Sequence, residues 1–356
     1  MGGNALQVPS VRLSAADYHT LENRIVQQLR QAFPHRRIES VLAYAEKADF
    51  GDMDLLIEGG ADYNPLFIAQ TLQANEVVRN GDVTSIGIAL EAGVFQLDLI
   101  ETPSASFDFA SRYFGFNDMG NLLGRIAHKC GAKFGHLGLL YPLRDPENDF
   151  HLLAELTITT DFGLALRLFG YDDARYEDLR RNAGFRTLQD IFQFVVSSPY
   201  VNRDIYLLEN RNHKARIRDA KRPTYTAFLA WLDEQAVDSL PAYPWAPSGS
   251  EERIAQQQAF LEQAFAICPD FQARYQQAVA IQARKNKFKQ CFNGALVSAI
   301  TGLSGKTLGR VMSDVRMAFS DETAFEDFFI QADEAAIRAC LLHHAAQVTA
   351  GKPEGF

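Results

Sequence analysis

Two kinds of hydrophobic patterning divide this 356-residue chain, and that division constrains its fold more than any single residue does. Short segments with two-residue alternation crowd into the first 160 residues: 38–44, 52–57, 76–78, 84–90, 94–100 and 152–159, with Gly, Asn and Asp between several of them. Helical spacing sets in early at 15–33, where Tyr18, Leu21, Ile25 and Leu29 recur behind a candidate N-cap, Ser14, and again at 66–72. From Phe107 the pattern turns helical, with a break expected at 133–142, and everything after Asp161 reads as helix. The pattern predicts an α+β fold, in which a mixed or antiparallel sheet with flanking helices is followed by all-helical domains. Residues 239–250 gather Pro241, Pro244, Pro247 and Gly249 and read as a linker. The expected domains are therefore 1–160, 161–240 and 251–356.

Composition narrows the class. With 47% apolar and 22% charged residues, the chain is expected to fold throughout. It contains no apolar run of the roughly 18 residues that span a bilayer and no signal-peptide core, so a cytoplasmic protein with no membrane partner is expected. The four cysteines form no metal-binding spacing and read as free thiols. A net charge of -9 argues against wholesale polyanion binding and leaves any nucleic-acid contact to local patches.

The chemistry concentrates at Gly51-Asp52-Met53-Asp54, which opens an apolar strand. Side chains at i and i+2 of a strand share a face, so Asp52 and Asp54 stand together and repel unless a cation neutralises them. A second strand, Phe95-Gln96-Leu97-Asp98-Leu99-Ile100, sets Asp98 opposite in direction to Leu97 and Leu99, and strand adjacency brings it to the same spot. Three carboxylates suit a pair of Mg²⁺ or Mn²⁺ ions, which take oxygen ligands and clamp the attacking and leaving oxygens of phosphoryl transfer. In that scheme Asp52 and Asp54 bridge the metals, and Asp98 also orients or deprotonates the attacking hydroxyl.

These residues, followed by Tyr113-Phe114 and a helix over 118–129, resemble the palm and nucleotide-closing subdomain of the family X DNA polymerases, within the polymerase beta-like nucleotidyltransferases. The resemblance implies that Tyr113 and Phe114 line the sugar pocket, that Asn121 contacts the incoming base, and that Arg125 reaches the template-side minor groove. Gly135-His136-Leu137-Gly138-Leu139 and Leu168-Phe169-Gly170-Tyr171 look like two further segments of that family, so the similarity runs from Glu39 to Tyr171. The family's Gly-Ser phosphate cradle has no counterpart, because Val41-Leu42-Ala43-Tyr44 occupies its place. Triphosphate binding then falls to other groups such as Lys47 or Ser40, with Gly51 leaving room for close approach. In the tail, 292–296 and 302–309 resemble the RNA-holding helix–turn–helix of CCA-adding and poly(A) polymerases.

Two basic stretches offer a nucleic-acid surface: Arg211, Lys214, Arg218 and Arg222 at spacings that would align on one helix, and Arg284, Lys285, Lys287 and Lys289 in the tail. The resulting expectation is a nucleotidyltransferase that moves a nucleoside monophosphate from an NTP or dNTP to a hydroxyl, with a nucleic-acid 3′ end as acceptor. A protein or tRNA acceptor, and an inactive nucleic-acid-binding module, remain open as alternatives.

Overall fold

The computed structural model describes residues 5–60, 63–145, 148–236 and 239–350. Two compact units, Met1–Gln272 and Ala273–Phe356, divide the chain. The first opens with β1 (Leu13–Ser14), α1 (Ala15–Ala32), β2 (Ile38–Ser40), β3 (Asp49–Phe50), β4 (Asp52–Glu58), α2 (Pro65–Thr71), β5 (Val77–Asn80), β6 (Val83–Leu90) and β7 (Gly93–Thr102). It continues through α3 (Phe107–Phe114), α4 (Met119–Lys129), β8 (Lys133–Gly135), β9 (Gly138–Asp145) and β10 (Asn148–Thr159). Helices follow: α5 (Phe162–Leu168), α6 (Asp173–Arg181), α7 (Leu188–Val195), α8 (His213–Ala220), α9 (Pro223–Glu234), α10 (Glu251–Ile267) and α11 (Pro269–Cys291). The α+β class with a mixed sheet and trailing helices is the observed one.

Among the described residues the main sheet has five strands in the order β2-β4-β7-β6-β5. The β4–β7 pair is parallel and the other pairs are antiparallel. Its two faces differ because the strands alternate. Met53, Leu55 and Ile57 of β4, with Phe95, Leu97 and Leu99 of β7, join Tyr18, Leu21, Ile25 and Leu29 of α1 in one core. α1 is held in place at its start by Ser14, whose side chain accepts from the Asp17 amide. On the other face, Leu56 and Ile100 pack with Phe107 and Ala110 of α3. Towards the start of that face Asp52 and Asp54 of β4 and Gln96 and Asp98 of β7 stand in place of apolar residues.

Three sequence expectations change. The break expected at 133–142 is occupied by β8 and β9, which pair with β10 in an antiparallel three-stranded sheet. Gly135 and Gly138 face each other across a two-residue turn, so glycines that read as breakers close a hairpin. The stretch 239–250 is strapped down rather than free: Trp245 Nε1 donates to the Tyr200 carbonyl at 2.9 Å, and Asn202 Nδ2 donates to the Tyr243 carbonyl at 2.9 Å. Its aromatic rings, interleaved with the prolines, give it something to bury, and the two compact units meet in sequence within α11.

The first basic stripe also comes apart. Pro223 starts a new helix, and Arg211 and Arg222 sit in extended backbone outside α8, so the four cations share no single helical face. Arg211 is buried and paired with the fully buried Asp219 at 2.6 Å, which Arg218 also contacts at 3.0 Å. Two guanidiniums thus compensate one interior carboxylate, which would be a costly buried charge without them. Lys214 stays exposed.

In the second unit, the remainder of α11 packs with α12 (Gly294–Thr301), α13 (Gly305–Met317), α14 (Glu322–Gln331) and α15 (Glu334–Ala350). Val297, Val311, Val315, Phe325, Phe329 and Leu341 form its core. Arg284 is drawn into ion pairs with Glu326 at 3.0 Å and Asp327 at 2.6 Å, so it is not a free phosphate-binding cation. Lys285, Lys287 and Lys289 are exposed. Among the described residues none of the four cysteines is in a disulfide, and no helix is long and apolar enough to cross a membrane.

Candidate active site

The parallel register puts Asp54 directly opposite Asp98 and Asp52 opposite Gln96. All four side chains project from the open end of one sheet face. The three aspartates line a cavity of about 1100 Å³, together with Gly51, Lys47, Tyr18, Phe114, Asn117, Asp118 and Arg222. Asp98 is oriented by Gln96, whose Nε2 stands 3.0 Å from each carboxylate oxygen, and by Ser85, which faces it across β6.

Burial is the main influence on these acids. It pushes the Asp54 carboxyl up to about 8, with repulsion from Asp52 and then Asp98 adding to it and Lys47 partly opposing it. Asp98 is raised by burial too, against the lowering effect of its Ser85 and Gln96 hydrogen bonds. Lys47 lies 4.3 Å from the centroid of Phe50, which also stacks on Tyr18 at 3.8 Å. Burial lowers the Lys47 ammonium while Asp52 and Asp54 hold it up. This lysine is therefore the cation built into the acidic floor.

The far wall comes from the turn between α3 and α4 and from the start of α9. Arg222 contacts Asp118, and Asn117 Nδ2 donates to Thr224 Oγ1 at 3.3 Å. Phe116 and Asn117 both take left-handed backbone, with φ of 59° and 60°, a conformation uncommon for side-chain-bearing residues and recurrent at functional sites. Phe116 is anchored by its amide on the Leu42 carbonyl at 2.7 Å and by its ring against Phe185.

The residues implied by resemblance divide. Phe114 lines the cavity and stacks on His136 at 5.5 Å. Tyr113 does not line it and packs instead against Phe114 and Phe134. Arg125 spends its Nε on the Ile205 carbonyl at 3.2 Å, and Asn121 holds a buried Nδ2 without a hydrogen-bond partner; neither lines the cavity. Ser40 lies in β2, paired with Leu55, and is likewise outside the lining. Sequence reasoning passed over Tyr18, Asn117 and Thr224, and the site positions of Asp118 and Arg222. Asn117-Asp118 follows the Tyr-Phe pair closely enough to have been read, whereas nothing local marks Thr224.

Close packing of α4 on α3 fixes the Tyr113–Phe114 segment. A Cβ on Gly120 would fall 2.3 Å from the Tyr113 carbonyl oxygen. Gly120→Ala is expected to destabilise the protein by about 1–3 kcal/mol through overpacking, read as a lowered midpoint in chemical denaturation. An unchanged midpoint would mean that the helices yield freely there.

The donor set fits a hard divalent cation in chemistry. Two acids face each other across adjacent strands and a third stands beside them, and the Asp54 carboxyl is raised first by burial and then by repulsion from Asp52 and Asp98, which a cation would offset. As the side chains stand, no three His, Cys, Asp or Glu residues are gathered as a ready-made ligand set among the described residues. Both Asp98 oxygens accept from Gln96 Nε2, which orients the carboxylate beside the other two acids.

No family model matches this chain, and no curated protein matches it. Among solved structures, two of Leishmania infantum polymerase beta, one described as a ternary P/T complex and one as a ternary gap complex, align with a TM-score of 0.32 and 13% identity. Each alignment covers 38% of this chain, and the chain spans 60% and 53% of the two polymerase chains. A likeness this slight assigns neither activity nor partner.

Proposed function

We propose that this chain is a divalent-metal-dependent nucleotidyltransferase that moves a nucleoside monophosphate from an NTP or dNTP to a hydroxyl. The observation that carries the reading is the β4/β7 register, which sets Asp54 against Asp98 with Asp52 beside them at the floor of an open cavity. Mg²⁺ or Mn²⁺ held there would supply charge neutralisation for the phosphates and the developing oxyanions. Asp52 and Asp54 would hold the cations. Asp98, pinned by Gln96, takes the proton of the acceptor hydroxyl as that oxygen bonds to the α-phosphorus, and the bond from the α-phosphorus to the bridging oxygen breaks to release pyrophosphate. Phe114 gives the cavity an aromatic wall for the nucleoside, and Lys47 offsets the floor's negative charge.

The proposed acceptor is a nucleic-acid 3′ end. The exposed cations Lys214 in the first unit and Lys285, Lys287 and Lys289 in the second support it. Incubation with each labelled NTP and dNTP, Mg²⁺ or Mn²⁺, and a panel of primer–template, single-stranded oligonucleotides and tRNA tests the reading. Label on an oligonucleotide supports it in full, and label on tRNA or on a protein redirects the acceptor. No transfer under any condition, with salt-sensitive nucleic-acid binding retained, would replace it with an inactive binding module.

A further inference from the structure

Arg222, expected on a nucleic-acid face, instead lines the carboxylate cavity, where it contacts Asp118. Resting on the nucleotidyltransferase reading above, we propose that Arg222 is the cation that grips the nucleotide's triphosphate, and that Asp118 is the resident counter-ion it surrenders when the nucleotide enters.

The cavity floor is acidic, so a polyanionic substrate needs cations beyond those held by Asp52 and Asp54. Its lining residues include three basic side chains, Arg12, Lys47 and Arg222. Arg12 is exposed and tied to Asp49. Lys47 lies on the Phe50 ring and is coupled to Asp52 and Asp54, which commits it to the floor. Arg222 is left, on the opposite wall, fixed at the start of α9 by Pro223. A guanidinium presents five donors in a planar fork, and its one recorded contact with Asp118 uses a single nitrogen, Nη1.

The pair is built for exchange. The Arg222 side chain is 36% exposed, so solvent screens its attraction to Asp118. Phosphate oxygens carry more charge and match the same fork. By contrast, the interior Arg211–Asp219 pair, with both side chains buried, is a fixture rather than a switch.

Calorimetric titration of ATP, GTP, CTP, UTP and their deoxy counterparts in Ca²⁺, with the matching monophosphates as controls, tests the exchange. For the best-bound triphosphate, Arg222→Gln is expected to raise Kd by roughly 10- to 100-fold, the loss of charge-assisted hydrogen bonds. The monophosphate is expected to lose much less. Arg222→Lys should recover part of the affinity, and Asp118→Asn should bind as tightly as the native chain or tighter, because it frees the guanidinium. Triphosphate affinity unchanged in Arg222→Gln, with the native chain binding, would overturn this assignment and leave the nucleotidyltransferase reading standing. Equal weakening in Asp118→Asn and Arg222→Gln would also overturn it, by making the pair a structural latch. A native chain that binds no triphosphate would overturn both readings.

Discussion

Asp98→Asn is expected to slow nucleotidyl transfer by about 10²- to 10⁴-fold, the usual worth of a positioned general base, while the protein stays folded. Asn has the shape of Asp and keeps one carbonyl oxygen for the Gln96 amide, so the β4/β7 register has no reason to change. What it loses is the ability to accept a proton and the negative charge that would help hold a cation. Thermal stability should hold or rise, since Asp98 is one of the acids that repel Asp54. Single-turnover transfer of labelled nucleotide, with a melting curve on the same preparation, separates the two effects. A variant that transfers at the native rate would show that the proton goes elsewhere and that the acidic trio has a structural role. Gln96→Leu should act in the same direction but more weakly, because it frees the Asp98 carboxylate without removing it, and its activity loss should shrink as pH rises.

Much of this site was legible because strand alternation is local. Asp52, Asp54 and Asp98 each declare their face by the apolar residues beside them, and Gln96 declares the same face by standing two residues before Asp98. What alternation cannot give is adjacency. The parallel pairing of β4 with β7 depends on the chain passing through α2, β5 and β6 before returning, and that route follows from tertiary packing. The basic stripe misled for a related reason: the spacing of Arg211, Lys214, Arg218 and Arg222 assumes one continuous helix, whereas Pro223 interrupts it and Asp219 draws Arg211 into the interior while pairing with the exposed Arg218. Counting offsets from Tyr113 likewise picked Asn121 and Arg125, but the left-handed pair Phe116–Asn117 turns the chain so that Asn117 and Asp118 meet the cavity instead. Legibility thus ended where a residue's role depended on an ion pair or a backbone turn with a distant partner.

Binding of Mg²⁺ or Mn²⁺ is expected to strengthen as pH rises from 6 to 8, by up to about tenfold per unit, and then to level off. The cause is Asp54, whose carboxyl is pushed up to about 8, first by burial and then by Asp52 and Asp98. A divalent cation must displace that proton to use the carboxylate as a ligand. The sign for stability runs the other way. Because the folded value lies above the ordinary value near 4, the folded chain keeps a proton that the unfolded chain releases. The Asp54 contribution to stability is therefore fullest below pH 4, falls through the window from about 4 to about 8, and is lost above it. Melting curves in a chelator should accordingly descend across that range, and added Mn²⁺ should flatten the descent most at its alkaline end. Asp54→Asn removes the titrating group, so its melting temperature in chelator should exceed that of the native chain at pH 8, and the pH slope attributable to this residue should vanish along with transfer activity. Native Mn²⁺ affinity that is flat between pH 6 and 8 would mean that Asp54 is already ionised at neutral pH, with no proton to displace.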